Sequence, residues 1–348
     1  MKKIKYLILI GILCLLIVSI TIYTVRRASY TIQTSGKLYI VNKLSSSVTV
    51  FDLFQRKQLT EFPVEYIPHE ITKIKNQPKV VITNYGTNDL LGHTISVINT
   101  NTNTIEKNIS LNKSFAPKGI INLPEPNKVA VATNGGNNLL VIDIVSGTID
   151  KDIPTQQYVS HLLVHHPNKP LAYVTNINSG SVSVINLELN KVVTTIACGW
   201  GTEGIDITPD GSEVWVTNNK SNSINIINTI TNKVIDTLAT GKESLRLKFS
   251  VDGKYCLVTN ALDGTVSVYN TITKKRIKTI NLHGKDNFLE RLLYHTPRPV
   301  GILMHPNGLY AFIANSNANK IEVINMKTFT VDSTIGTGNI PDGLAFVQ

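Results

Sequence analysis

Beyond residue 36 the chain alternates short apolar runs with polar turns, and the alternation repeats. Ser181-Val182-Ser183-Val184-Ile185 and Ser223-Ile224-Asn225-Ile226-Ile227 place β-branched residues at every second position, the period of a half-buried strand. Lys191–Ile196 and Lys233–Leu238 supply a further strand each, and Asn-Thr-Ile-Thr-Asn-Lys and Pro-Asp-Gly stretches supply turns between them. A tetrapeptide marks each unit: YIVN ending at Asn42, VITN at Asn84, VATN at Asn134, YVTN at Asn176, WVTN at Asn218, LVTN at Asn260 and FIAN at Asn315. The intervals between these asparagines are 42, 50, 42, 42, 42 and 55 residues. A second signal, of the type VIN or VID, follows at Asp52, Asn99, Asp143, Asn186, Asn228, Asn270 and Asn325, ten residues after the first in five of the seven units. Only Asp286–Tyr294 reads as a helical interruption.

Units of about 42 residues with four short antiparallel strands specify propeller blades. The ends predict how the ring closes. Ile340–Phe346 matches the start of an innermost strand, as at Pro299–Ile302 and Pro117–Ile120, with no outer strands after it. The first unit begins at Lys37 with its second strand. The C-terminal strand is therefore expected to complete the first blade, leaving no open edge. The expectation is an all-β, seven-bladed propeller over residues 36–348, with each repeated asparagine serving as a structural residue at the end of a strand.

The opposite pattern holds at the N-terminus. Tyr6–Tyr23 is eighteen residues without a charge, long enough to cross most of a hydrocarbon core of about 30 Å. Thr24-Val25-Arg26-Arg27 is a poor cleavage site, and Cys14 lacks the small residue before it that a lipoprotein signal needs. The chain then divides into a cytoplasmic stretch (1–5), a transmembrane anchor (6–25), a linker (26–35) and the propeller. Basic residues Lys2, Lys3 and Lys5 before the segment favour a single-pass protein of the cell membrane, with its propeller outside the cytoplasm, at the surface or in the periplasm.

Charge adds little. Of the formal net charge of +10, half comes from the five basic residues flanking the apolar segment, leaving +5 without a long basic run. Nucleic-acid binding is not expected. Asparagine, at about one residue in ten, fits many tight turns. Two cysteines outside the anchor define no disulfide framework. No phosphate loop, GxSxG, CxxC or HExxH is present, so no catalytic residue, metal ligand or cofactor is assigned.

These elements, YVTN, VIN and PDG over Gly36–Gln348, resemble the YVTN-repeat β-propellers of prokaryotic surface and periplasmic proteins. The resemblance implies a binding or scaffold protein. Related propellers are lactonases or hold haem or copper, and they supply the alternatives: a metal-dependent lactonase-like or hydrolase-like enzyme, or a redox carrier.

With the strands of a blade lettered A (innermost) to D, the D-to-A and B-to-C connections share one face, and the A-to-B and C-to-D turns share the other. Both insertions, Asn84–Ile95 and Asn281–Pro299, fall on the first face, as do His93, His283 and His295. Aligned strand-A starts predict a ring at the channel mouth: His69, Lys118, His161, Glu203, Leu245, Val300 and Asp342, with Glu70, Arg246 and Arg298 beside it. Aromatics from the D-to-A loops, Tyr66, Phe115, Tyr158 and Trp200, then Phe288 and Tyr294, rim it. Mixed charge suits a protein or a small polar ligand. His69, Glu70, Lys118, His161, Trp200, Glu203, Arg246, Arg298 and Asp342 are the expected binding residues of a monomeric, membrane-anchored module. His165, His166 and His305, on the opposite face, are expected to be turn residues.

Overall fold

In the computed structural model, residues 10–11, 30–87, 89–284 and 296–348 are described. They form seven four-stranded antiparallel sheets. The expected anchor (apart from residues 10–11), the helix at Asp286–Tyr294 and the aromatics Phe288 and Tyr294 lie outside these residues; among the described ones no helix is long and apolar enough to cross a membrane.

Blade 1 takes strands B to D from Lys37–Asn42, Ser47–Asp52 and Lys57–Pro63, and strand A from Pro341–Val347. Leu38↔Phe346 and Ile40↔Leu344 join the two ends of the chain, so the ring closes as the pattern predicted. Strands B and C are buried along almost their whole length, while strand D is largely exposed. The core consequently sits between blades. Tyr39, Val41, Val48 and Val50 of blade 1 pack on Val80, Ile82 and Ile98 of blade 2, and Tyr173, Val182 and Val184 of blade 4 on Val214, Val216 and Ile227 of blade 5. Trp215 is fully buried between blades 5 and 6, edge-on to Phe249 and Tyr269.

Asparagine explains the turns. Among the described residues, nine of the twenty non-glycine residues with positive φ are asparagines, among them Asn103, Asn190 and Asn232, each just before a strand D. A short polar side chain tolerates this left-handed backbone.

The repeated asparagine is structural, as expected. Asn218 donates to Ser223 Oγ and Asn225 Oδ1, and accepts from Gly199 N and Thr202 Oγ1. Asn42, Asn84, Asn176 and Asn260 make the same pair of bonds to hydroxyls of strand C. Blade 3 corrects the sequence alignment. Pro117 pairs with Thr133 where Pro68 pairs with Asn84, so Thr133, not Asn134, occupies the asparagine position. Its hydroxyl donates to Asn138, which takes over the network by bonding Ser114 and Asp152. The register slips because Ala-Thr-Asn resembles Val-Thr-Asn by letters alone.

The first insertion is not a loop. It lengthens strands B (Lys79–Gly86) and C (Leu91–Asn99) of blade 2 into a longer hairpin, paired as far as Gly86↔Leu91.

Candidate functional site: a polar plug in the channel

Each strand A begins in the same unusual way. The residue before it has positive φ in all seven blades: Ile67, Ala116, Val159, Gly201, Glu243, Arg298 and Ile340. A one-residue bulge follows, since Pro68 pairs with Asn84 but Ile71 with Ile82, and the other six blades repeat the shift. A bulge leaves one N–H without a ladder partner and re-aims two side chains. The threonine of the tetrapeptide takes up that N–H. Thr83 Oγ1 accepts from Glu70 N at 3.0 Å and donates to Lys118 O of the next blade at 2.8 Å. Thr175, Thr217 and Thr259 do the same.

The second residue of strand A is His69, Lys118, His161, Glu203, Leu245, Val300 or Asp342, the ring expected from the sequence. The third is glycine in four blades, because adjacent strands A nearly touch: a Cβ on Gly301 would lie 2.1 Å from Asp342 O, and one on Gly204 2.3 Å from Leu245 O. Blades 2 and 6 carry Glu70 and Arg246 there instead. Arg246 Nη2 meets Glu70 Oε1 at 3.2 Å, and its Nη1 meets Glu203 Oε1 of the neighbouring blade at 2.8 Å. Blades 2 and 6 stand on opposite sides of the ring, so this pair spans the channel.

Above the brace, Lys118 Nζ lies 2.8 Å from His69 Nε2 and 4.1 Å from the Tyr85 ring centroid. Asp342 Oδ2 lies 3.5 Å from His69 Nε2 and 3.3 Å from Lys43 Nζ. His161 stands edge-on to His69 at 5.9 Å. Asn219 Nδ2 donates to Glu203 Oε2. His69, His161, Glu203, Arg246 and Asp342 are each under 10% exposed, so these residues form a plug and not an open mouth.

Burial dominates the electrostatics. It holds His69 and His161 well below the ordinary imidazole value, and the cations Lys118, Lys43 and Arg246 add to the effect. His69 is therefore neutral despite the nearby carboxylate of Asp342. Burial also lowers Lys118 to about 7 and raises Glu70 to about 7, the latter against the pull of Arg246. It opposes the charge on Arg246 as well, but Glu70, Glu203 and Asp342 outweigh it and keep the guanidinium protonated. Burial raises both thiols, Cys198 to about 12 and Cys256 well above its usual value, so neither is a thiolate nucleophile at neutral pH.

Two expected residues stand apart. Trp200 is 67% exposed on the rim with Lys220 over its ring, and Arg298 makes a bidentate pair with Glu243 at 2.8 and 2.9 Å. Tyr66 and Tyr158 are exposed on the same rim. His93 leans on Phe115, His283 is held by the buried carboxylate of Glu322, and His295 lies outside the described residues. On the far face His166 Nδ1 and His305 Nδ1 accept backbone N–H bonds from Asn168 and Asn307, as turn residues do.

Lys43, Tyr85 and Asn219 are site residues that the sequence reading missed. Each directly follows a tetrapeptide asparagine, so a fixed offset from the repeat would have found them. The open space lies beneath the plug. A cavity of about 550 Å³ runs from Glu70 and Arg246 past Ile121, Leu162 and Leu303 toward Lys73, on the side of the A-to-B turns. Among the described residues no three His, Cys, Asp or Glu side chains converge to hold a metal ion.

No known protein family's sequence profile matches the chain, and no curated protein matches it. Solved structures do. A functionally unknown protein from Desulfotomaculum acetoxidans DSM 771 superimposes with a TM-score of 0.74 at 17% identity, covering 90% of this chain and 99% of that one. Kuenenia stuttgartiensis hydrazine synthase gives 0.69 at 18% identity, covering 80% and 89%. At such identities the likeness is one of fold. The chain is a seven-bladed β-propeller.

Proposed function

We propose that this is a membrane-anchored, extracytoplasmic propeller of the YVTN-repeat kind, a binding module whose D-to-A and B-to-C face takes a protein or a small polar ligand. One observation carries the reading: four buried polar atoms in the plug, His69 Nδ1, His161 Nδ1, Asn219 Oδ1 and Asp342 Oδ1, have no hydrogen-bond partner, and Tyr66, Tyr158 and Trp200 are exposed in the loops of the same face. Buried polar atoms demand partners, and exposed aromatics are the usual anchors of interfaces. Lys118 favours this over a metal-dependent lactonase-like enzyme, because its Nζ stands against His69 Nε2 where a metal would need the lone pair.

A photo-crosslinking residue placed at Tyr158 or Trp200 on intact cells should give one discrete adduct. With the crosslinker at Tyr158, replacing the exposed Trp200 by Ala should weaken that adduct while leaving the melting curve nearly unchanged. Adducts from Asn168 on the opposite face, and none from Tyr158 or Trp200, would refute the assignment of faces. Stoichiometric metal surviving dialysis would favour the enzyme or redox alternative.

A further inference from the structure

The face away from the plug has its own chemistry, and the chain's route across the surface says what covers it. Tyr30 and Ile32 are buried in the core of blades 1 and 7, Thr31 N donates to Ser333 Oγ, and His305 of an A-to-B turn bonds Ser35 O. Arg56, in the first C-to-D turn, reaches Gln33. The chain thus enters the propeller along the face of A-to-B and C-to-D turns. Only six residues lie between Tyr23 and Tyr30, and the seven steps reach at most about 25 Å when extended. If the uncharged run Tyr6–Tyr23 of the proposed anchor crosses the bilayer, this face stands within that distance of it.

Two features of the face fit that neighbour. The C-to-D turns present apolar tips to solvent in five blades: Phe54 (63% exposed), Val145 (54%), Leu189 (60%), Ile230 (80%) and Ile272 (84%). Four of these belong to the consecutive blades 3 to 6. Turns are ordinarily polar, and nothing in blade packing calls for isoleucine at a tip. The face is also cationic. Counted from the last residue of one strand to the first of the next, its turns carry fourteen Lys and Arg against seven Asp and Glu. The described connections on the opposite face, counted the same way, carry six against four. Exposed Lys169, Lys191, Lys233, Lys275 and Lys327 make no ion pair among the described residues.

We infer that the A-to-B and C-to-D face docks on an anionic lipid surface, its apolar tips entering the headgroup layer and its lysines meeting the lipid phosphates. The inference rests on the proposed anchor and adds an orientation to it. The aromatic rim then points away from the membrane, and the channel cavity opens toward it.

The test uses the full chain in vesicles of phosphatidylcholine with and without phosphatidylglycerol, carrying brominated acyl chains. Ile272→Trp or Ile230→Trp places a reporter at a tip, Leu262→Trp places one on the opposite face, and Trp200 and Trp215 give the background. The expected result is loss of most of the added emission for the two tip variants in anionic vesicles, partial recovery in high salt, and no loss for Leu262→Trp. Flotation is read separately. A chain that floats while its tip reporters stay bright, or while Leu262→Trp is quenched equally, refutes the docking face and leaves the anchor standing. Quenching that is indifferent to phosphatidylglycerol refutes the anionic surface. A chain that does not float refutes the anchor, and the docking falls with it.

Discussion

Two sets of seven positions share one repeat and teach opposite lessons. The asparagine ending strand B recurs with little change, because in blades 1, 2, 4, 5 and 6 it ties strand C of its own blade and, in blades 4 to 6, the start of strand A or the loop leading into it as well. The second residue of strand A has an equally constant backbone, with the same positive φ before it and the same bulge after it. Its side chains are nevertheless His, Lys, His, Glu, Leu, Val and Asp. Where the frame needs a side chain, the sequence repeats. Where the frame only aims one, the sequence is free to differ, and the polar residues collect there.

The most damaging way to break the frame is to open it. Removing residues 338–348 takes strand A from blade 1, leaves the backbone edge of Lys37–Asn42 unpaired and strips Leu344 and Phe346 from the cluster around Leu38 and Ile40. Loss of one cooperative thermal transition for the whole propeller is expected. A truncated chain that melts like the intact one would show that the ring does not depend on its closure.

Next in size is the brace of the plug. Arg246→Met leaves Glu70 and Glu203 buried without their cation, which should cost about 3–5 kcal/mol in denaturant unfolding. Replacing both glutamates by Gln in the same chain should recover most of that loss. If the single variant costs nothing, the cross-channel pair is not formed.

Much of this comparison could be read from the sequence. The blade count, the closure by the C-terminal strand and the ring from His69 to Asp342 all follow from spacing, since each is a property of the repeat. Three things were not legible. The Thr133 register depends on strand pairing, which the letters Ala-Thr-Asn do not report. The extended hairpin of blade 2 looked like a loop because Asn-Asp and Gly resemble turn chemistry wherever they occur. The closure of the channel mouth depends on partners from distant blades, Glu70 with Arg246 above all, and no local pattern announces a contact 176 residues away.

Acid should loosen the plug in a calculable sense. The folded protein keeps His69 and His161 neutral well below 6.5, where an unfolded chain protonates both, so these two rings favour unfolding as the pH falls. Glu70 acts the other way, taking a proton in the folded state near 7 but only near 4.5 when unfolded. While both rings stay neutral in the folded state, the unfolded chain binds about one more proton than the folded one from these three groups, so stability should fall with falling pH by at most about 1.4 kcal/mol per pH unit. Lys118, lowered to about 7 from 10.5, adds stability as pH rises through that upper window. Thermal melting against pH should flatten in the acid limb for His161→Ala and steepen for Glu70→Gln. Identical slopes in all three proteins would mean that the histidines are not buried as neutral rings.

The smallest effect separates the two readings of blade 3. Asn218→Ala removes a fully buried side chain with two donated and two accepted bonds, and should cost about 1–3 kcal/mol. Were Asn134 its counterpart, as the letters suggest, Asn134→Ala would cost the same. The pairing of Pro117 with Thr133 places Asn134 one residue beyond the repeat position, with an Oδ1 that has no hydrogen-bond partner. Its removal should change stability by less than about 0.5 kcal/mol, whereas Thr133→Ala strips a donor from Asn138 and falls between the two. Asn134 then belongs with Lys43, Tyr85 and Asn219, the residues one step past the repeat. A cost for Asn134→Ala equal to that for Asn218→Ala would return it to the frame and remove it from the site.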